Sequence, residues 1–247
     1  MAQPINTNIV INMNNYIDTH SHILYGIDDG AKTFEDSMNI LNKMSSLGYK
    51  EIVLTPHYRH PYYADNDLKN LLFHRLVREV KNANLDIKLH LANEVRITDN
   101  IIDLVESDQI QLLEDKVLFL ELPFANRIYN LDQIIFKLQT KGIKVVIVHP
   151  ERYDYMTIKD YEELHDKDVL LQVNQASILG MYGIKAKSKA IKLLKMDLVE
   201  FLGTDVHHAN DMMLEEYDKT KQLITKLVGP YKYEELSYKN ASYLFKN

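Results

Sequence analysis

The chain's pattern predicts a single-domain α/β protein, a distorted (β/α)7 barrel, and three observations carry that expectation. Short runs rich in β-branched residues alternate with longer runs of helical period. No linker-like stretch or internal repeat interrupts the alternation, and 46% of the 247 residues are hydrophobic, enough for one substantial core. Alternation this regular implies βα units and parallel strands, and seven of them suit a closed or nearly closed ring.

The residues from Met1 to Asn14 are rich in Asn and lack a clear period, so they are expected to be a flexible extension or a cloning remnant ahead of a domain over 15–247. The expected strands are Tyr16–Thr19, Glu51–Thr55, Ile87–Val95, Val117–Leu122, Ile143–Val148, Val169–Val173 and Leu198–Gly203. After the first strand, Thr33 is a suitable N-cap. Phe34, Met38 and Leu41 follow it in one apolar stripe, and Gly48 ends the helix. Further helical periods occupy about 66–83, 130–141, 157–166, 187–196 and 212–227.

Composition excludes several classes of function. No apolar run approaches the length of a membrane span, and no signal-peptide pattern is present, so the expectation is a cytoplasmic protein without stable membrane insertion. A net charge of -6 without a basic stripe disfavours nucleic acid as a partner. With no cysteine, the chain can use neither a thiolate metal site nor a cysteine nucleophile.

The first chemical signal is Asp18-Thr19-His20-Ser21-His22, where a period of two puts both imidazoles on one face near a strand end. Metal-type residues then recur where strand after strand stops: His57 after Thr55-Pro56, Glu94 after Ala92-Asn93, Glu121, His149 before Pro150, and Asp205 with His207. Strand ends of a barrel converge on one rim, which makes these distant residues neighbours. A carboxylate inside Val117-Leu118-Phe119-Leu120-Glu121-Leu122 is costly to bury unless its charge is compensated, and a cation compensates it. Taken singly, His57 or His149 could equally be a satisfied strand-end histidine.

Together the motifs Ile17-Asp18-Thr19-His20-Ser21-His22, Asp28-Asp29-Gly30, Thr55-Pro56-His57, Glu94, Glu121, His149-Pro150-Glu151-Arg152-Tyr153, Gln172-Val173-Asn174 and Thr204-Asp205-Val206-His207 resemble a known family. It is the polymerase-and-histidinol-phosphatase (PHP) phosphoesterases, and within it the tyrosine phosphatases of Gram-positive capsule and exopolysaccharide loci. The resemblance covers about 16–245 and implies the PHP barrel with three divalent ions, manganese first and iron or zinc as alternatives. One would sit on His20, His22, Glu94 and Asp205, one on Glu94, Glu121 and His149, and one on Asp29, His57 and His207. Imidazole and carboxylate ligands without thiolate suit those metals. The loaded pocket would be cationic, attracting a phosphate monoester, and a metal-bridging hydroxide would attack phosphorus.

Arg152, with Arg59, is expected to neutralise charge in the transition state, although Arg152 could instead pair with Glu151 or Asp154. Either Asp28 or Asp29 could face the metal while the other caps the turn at Gly30; the family register favours Asp29. His60 or His208 could assist as an acid or be spectators, Asn174 fits a supporting role, and Tyr58, Tyr62 and Tyr63 could wall a phenyl ring. Family members often carry an arginine after Asp-x-His, where this chain reads His208-Ala209-Asn210-Asp211-Met212. The implied substrate is a phosphotyrosine protein, the tail of a bacterial tyrosine kinase regulating capsule or exopolysaccharide assembly. The alternative is a small-molecule phosphatase such as histidinol phosphatase; a nuclease and a metal-free scaffold fit less well.

Overall fold

Nine parallel strands occur among the described residues, 15–245, of a computed structural model: β1 (Tyr16–Ser21), β2 (Tyr49–Leu54), β3 (His57–Tyr58), β4 (Lys88–Leu91), β5 (Glu94–Arg96), β6 (Val117–Glu121), β7 (Lys144–Val148), β8 (Leu170–Asn174) and β9 (Phe201–Gly203). The extension expected over 1–14 lies outside these residues.

The seven expected strands become nine because the one expected over Ile87–Val95 breaks and a short unexpected strand follows the one expected over Glu51–Thr55. β2 stops before Thr55-Pro56 and resumes as β3; β4 stops before Ala92-Asn93 and resumes as β5. Pro56 has no N–H to give to a ladder. Its carbonyl instead accepts from the Glu94 N–H at 3.2 Å and from Asn93 Nδ2 at 2.8 Å. The breaks divide the strands into a sheet of order β1-β2-β4 and a sheet of order β3-β5-β6-β7-β8-β9.

The expected ring is therefore interrupted rather than laddered throughout. Where β9 meets β1 the link is a parallel bridge between Ser21 and Val206. Two hydrogen bonds accompany it, from Asp205 N–H to the His20 carbonyl and from His22 N–H to the Val206 carbonyl, each 2.9 Å.

Period two divides the strand side chains between two apolar clusters. Val117, Phe119, Val146 and Val148 pack with Ile17, Val53 and Phe201, and Ala241 and Leu244 of the C-terminal segment join them. Leu118, Leu120, Val145 and Ile147 face the other way, into the larger core that the helices cover.

Thr33 caps Phe34–Ser46 through a capping box with Asp36, as its side chain predicts, and Thr157 does the same for Ile158–His165. The helix expected over 212–227 is two, Met212–Glu215 and Tyr217–Val228, because Glu216 is not helical. The short helix Ile101–Glu106 and the C-terminal turns after Gly229 carry too little periodicity to be read from sequence. Among the described residues no helix is long and apolar enough to cross a membrane.

Candidate metal centre

Every expected ligand sits at or just beyond the C-terminal end of a strand or in the loop that follows. His20 ends β1 with Ser21, and His22 follows; Asp29 lies in the next loop. His57 opens β3, Glu94 opens β5, Glu121 closes β6, and His149, Asp205 and His207 follow β7 and β9.

His149 (φ 36°) and Asp205 (φ 54°) are both left-handed, a conformation that costs energy in non-glycine residues and collects at functional sites. Two glycines permit the close packing beneath the site. A Cβ on Gly30 would stand 2.0 Å from the His22 carbonyl oxygen, and one on Gly203 would stand 2.3 Å from Gln172 Nε2 and 2.9 Å from His20 Cβ.

The side chains converge. His20 Nε2 and His22 Nε2 are 3.2 Å apart; Glu94 Oε2 lies 3.5 and 3.4 Å from them, and Asp205 Oδ1 lies 3.5 and 3.3 Å from them. A divalent ion with bonds of about 2.0–2.2 Å holds adjacent donors roughly 3–3.5 Å apart, so this set has the spacing of a coordination shell. His57 Nε2 and His207 Nε2 approach Asp29 Oδ1 at 3.4 and 3.7 Å.

Three groups of ligand atoms are close enough to hold an ion: His22, Asp29, His57 and His207; His20, His22 and Glu94; and His57, Glu94 and Glu121. His149 Nε2 lies 2.8 Å from Glu94 Oε1. The groups thus overlap more than the expected partition, with His22 and His57 each shared.

The second ring nitrogen explains why the imidazoles point inward. His20 Nδ1 donates to Gln172 Oε1 at 2.8 Å, His22 Nδ1 to Asp28 Oδ2 at 2.7 Å, and His207 Nδ1 to the Asp205 carbonyl at 2.8 Å. The Tyr153 hydroxyl donates to the Val148 carbonyl, which leaves it to accept from His149 Nδ1 at 3.2 Å. With Nδ1–H engaged, each Nε2 presents a lone pair to the centre, the usual arrangement behind metal-bound histidine.

Lone pairs crowded without donors require positive charge. Glu94 Oε2 and Asp29 Oδ1 are buried without a hydrogen-bond partner. His57 Nδ1 lies 2.6 Å from Glu94 Oε2, yet neither atom has the alignment of a hydrogen bond. Burial alone would push the Glu94 and Asp205 carboxyls up, but the surrounding imidazoles, His20 foremost, hold both well below the carboxylate range. Burial would likewise push His20 and His22 down. Glu94 and Asp205 override it at His20, and Asp28 at His22, so both are raised. Divalent cations fit a centre with these demands.

A cavity of about 480 Å³ opens over the cluster, lined by Asp29, His57, Glu94, Glu121, His149, Asp205 and His207 together with Arg59 and Arg152. Arg152 Nη1 is 3.5 Å from Asp205 Oδ2, and its guanidinium is held between the rings of Phe124 (4.6 Å) and Tyr182 (4.4 Å). Its ion pair is therefore with the site and not with Glu151 or Asp154. Arg59 Nη2 lies 3.0 Å from His57 Nε2 and 3.4 Å from Asp29 Oδ2.

Asp28 is the supporting residue of its pair: it accepts from His22 and from the Gly30 N–H at 2.9 Å, while Asp29 faces the cluster. Asn174 supports too, donating from Nδ2 to Asp205 Oδ2 at 2.6 Å. His208 lines the cavity; His60 is exposed and does not. Tyr62 stacks on His57 at 6.0 Å, and Tyr58 and Tyr63 line a separate hollow, so the aromatic walls of the cavity are Phe124 and Tyr182. Neither ring stood out in the sequence, because neither adjoins a ligand motif.

The family model for capsular polysaccharide synthesis proteins, CpsB/CapC, matches residues 16–246. CapC of Staphylococcus aureus is 31% identical over 199 residues, 77% of this chain and 76% of that protein. The tyrosine-protein phosphatase YwqE of Bacillus subtilis is 30% identical over 202 residues, 78% of this chain and 77% of that one. The fold is similar to a crystal structure from work on YwqE and on CpsB of Streptococcus pneumoniae, described as metal-dependent tyrosine phosphatases. Its TM-score is 0.74 over 89% of this chain and 94% of that one, at 24% identity.

Proposed function

Because this chain belongs to the CpsB/CapC family of capsular polysaccharide synthesis proteins, we propose that it is a metal-dependent phosphomonoesterase acting on protein phosphotyrosine. The observation that carries the reading is the convergence of His20, His22, Glu94 and Asp205 on one point, with ring orientations held from behind. The names of the relatives support the phosphotyrosine assignment, and the absence of cysteine requires a mechanism without a thiolate nucleophile.

The residues that would hold the ions are His20, His22, Asp29, His57, Glu94, Glu121, His149, Asp205 and His207, for three ions with manganese as the first choice. Bound there, divalent ions supply an activated water and neutralise phosphate charge. In this reading Arg152, held between two rings, binds a phosphate oxygen, and Arg59, which lines the same cavity, assists it. Phenolate, whose conjugate acid has a pKa of about 10, leaves without strong general-acid help. The physiological substrate in this reading is the tyrosine-rich tail of a bacterial tyrosine kinase that regulates capsule or exopolysaccharide assembly.

The test is hydrolysis of a phosphotyrosine peptide beside a phosphoserine peptide and histidinol phosphate, with manganese, with chelator, and for His20→Ala and His207→Ala. Phosphotyrosine turnover that chelator and both substitutions abolish is expected. Turnover confined to histidinol phosphate would move the assignment to a small-molecule phosphatase, and activity surviving both substitutions and chelation would refute the metal centre.

A further inference from the structure

Phe124, Arg152 and Tyr182 line two cavities at once. On one side is the metal cavity; on the other is an open hollow of about 430 Å³, completed by Asp154, Gly183, Ile184, Lys185 and Ala186. The guanidinium of Arg152 sits in the partition, between the Phe124 and Tyr182 rings.

Two features distinguish the second hollow. Apart from Arg152 in the partition, the charges at its rim cancel, because Lys185 Nζ lies 3.3 Å from Asp154 Oδ2 with both side chains largely exposed. Such a pair adds little energy and leaves no net charge to attract an ionic group. Its edge carries Ile184, a large aliphatic side chain that is 84% exposed, and Met181, which lines the metal cavity, is 41% exposed beside it. An apolar step adjoining a polar reaction cavity is the form of a site whose ligand has an ionic head and an apolar flank.

We infer that the hollow bounded by Tyr182 and Ile184 is a subsite for an apolar side chain flanking the phosphotyrosine of an extended peptide, so that the enzyme selects peptide context and not the phosphorylated ring alone. The inference rests on the proposed phosphotyrosine activity. Continuity with the reaction cavity identifies the occupant: a peptide whose phosphate meets Arg152 and whose chain crosses the Phe124–Tyr182 partition enters the hollow directly. Successive side chains of an extended strand rise about 3.3 Å apart and alternate faces, so a neighbour within two residues reaches the hollow. Histidinol phosphate has no such flank and leaves the hollow empty.

The experiment compares wild type with Ile184→Lys on four substrates: p-nitrophenyl phosphate, histidinol phosphate, a phosphotyrosine peptide with Leu at the two positions on either side, and the same peptide with Ser there. In wild type the Leu peptide is expected to show a KM about tenfold below that of the Ser peptide. Ile184→Lys is expected to erase that difference while leaving kcat and the p-nitrophenyl phosphate kinetics unchanged. Ile184 is too exposed for its replacement to disturb the fold. Equal KM for the two peptides in wild type, or a preference for Leu that persists in Ile184→Lys, overturns the subsite while the phosphotyrosine reading stands. An enzyme that ignores both peptides but hydrolyses histidinol phosphate overturns both.

Discussion

Asp28 Oδ2 accepts from His22 Nδ1 at 2.7 Å and from the backbone N–H of His57 at 2.9 Å, so one carboxylate orients the His22 imidazole and anchors the main chain of His57. Burial opposes its charge, but the His22 imidazole holds the carboxyl down, to about 2. Asp28→Ala is expected to weaken metal binding about 10- to 100-fold without removing a ligand. Calorimetric titration with manganese measures this directly, and an affinity equal to that of wild type would show that Asp28 only shapes its turn.

The two glycines beneath the site should respond differently to alanine. At Gly30 the new Cβ meets backbone, the His22 carbonyl at 2.0 Å, and the strand end must move. A loss of about 2–3 kcal/mol in urea unfolding is expected, with metal binding impaired. At Gly203 the new Cβ meets mainly the Gln172 amide, which can turn aside but then releases His20 Nδ1. Gly203→Ala should therefore lose metal affinity while keeping most of its stability. Equal effects of the two substitutions on unfolding would contradict this distinction.

Lys69 is 1% exposed, donates to Asn93 Oδ1 beside Glu94, and stands over the Tyr58 ring, with no carboxylate close enough to pair with it. Burial pushes its ammonium down to about 8 from 10.5. Below pH 8 folding carries the full cost of that buried charge. Between the folded and unfolded values the unfolded chain binds more protons, so stability rises with pH. Relative to Lys69→Met, wild type should gain about 2 kcal/mol between pH 8 and pH 10 in denaturant unfolding. Parallel pH curves for the two proteins would rule this out.

Arg152 is fixed by two rings and offers a planar pair of donors, which a lysine ammonium cannot reproduce. Arg152→Ala is expected to lower kcat/KM about 100-fold, and Arg152→Lys to recover little of it, with metal content unchanged. Recovery to near wild-type rate by lysine would mean that only charge matters at this position.

Most of the proposed ligands were legible in sequence because each is a chemically distinctive residue at or near the end of an apolar, β-branched run; Asp29, in a loop, is the exception. Glu121 announces itself as a carboxylate between Leu120 and Leu122, and His149 as an imidazole after Ile147-Val148. Asp28 and Asp29 were not separable, since adjacent identical residues differ only in which way the loop turns them. The break at Ala92-Asn93 inside the strand expected over Ile87–Val95 was obscured as well, because period and propensity continue across it and only the ladder reveals it; the two-residue strand after Pro56 is too short to leave a pattern.

Sequence alone determined the alternation of strand and helix, the absence of thiol chemistry and the set of metal-type residues, because local pattern and side-chain chemistry are properties of the chain itself. The tertiary structure decided which candidate donors lie within reach of one another, which nitrogen His20 turns inward, and that Phe124 and Tyr182 enclose Arg152. Those are relations between residues up to 185 positions apart, such as His22 and His207, and they are set by how the strand ends pack. No local pattern encodes a distance across a barrel rim; it exists only once the strands have met.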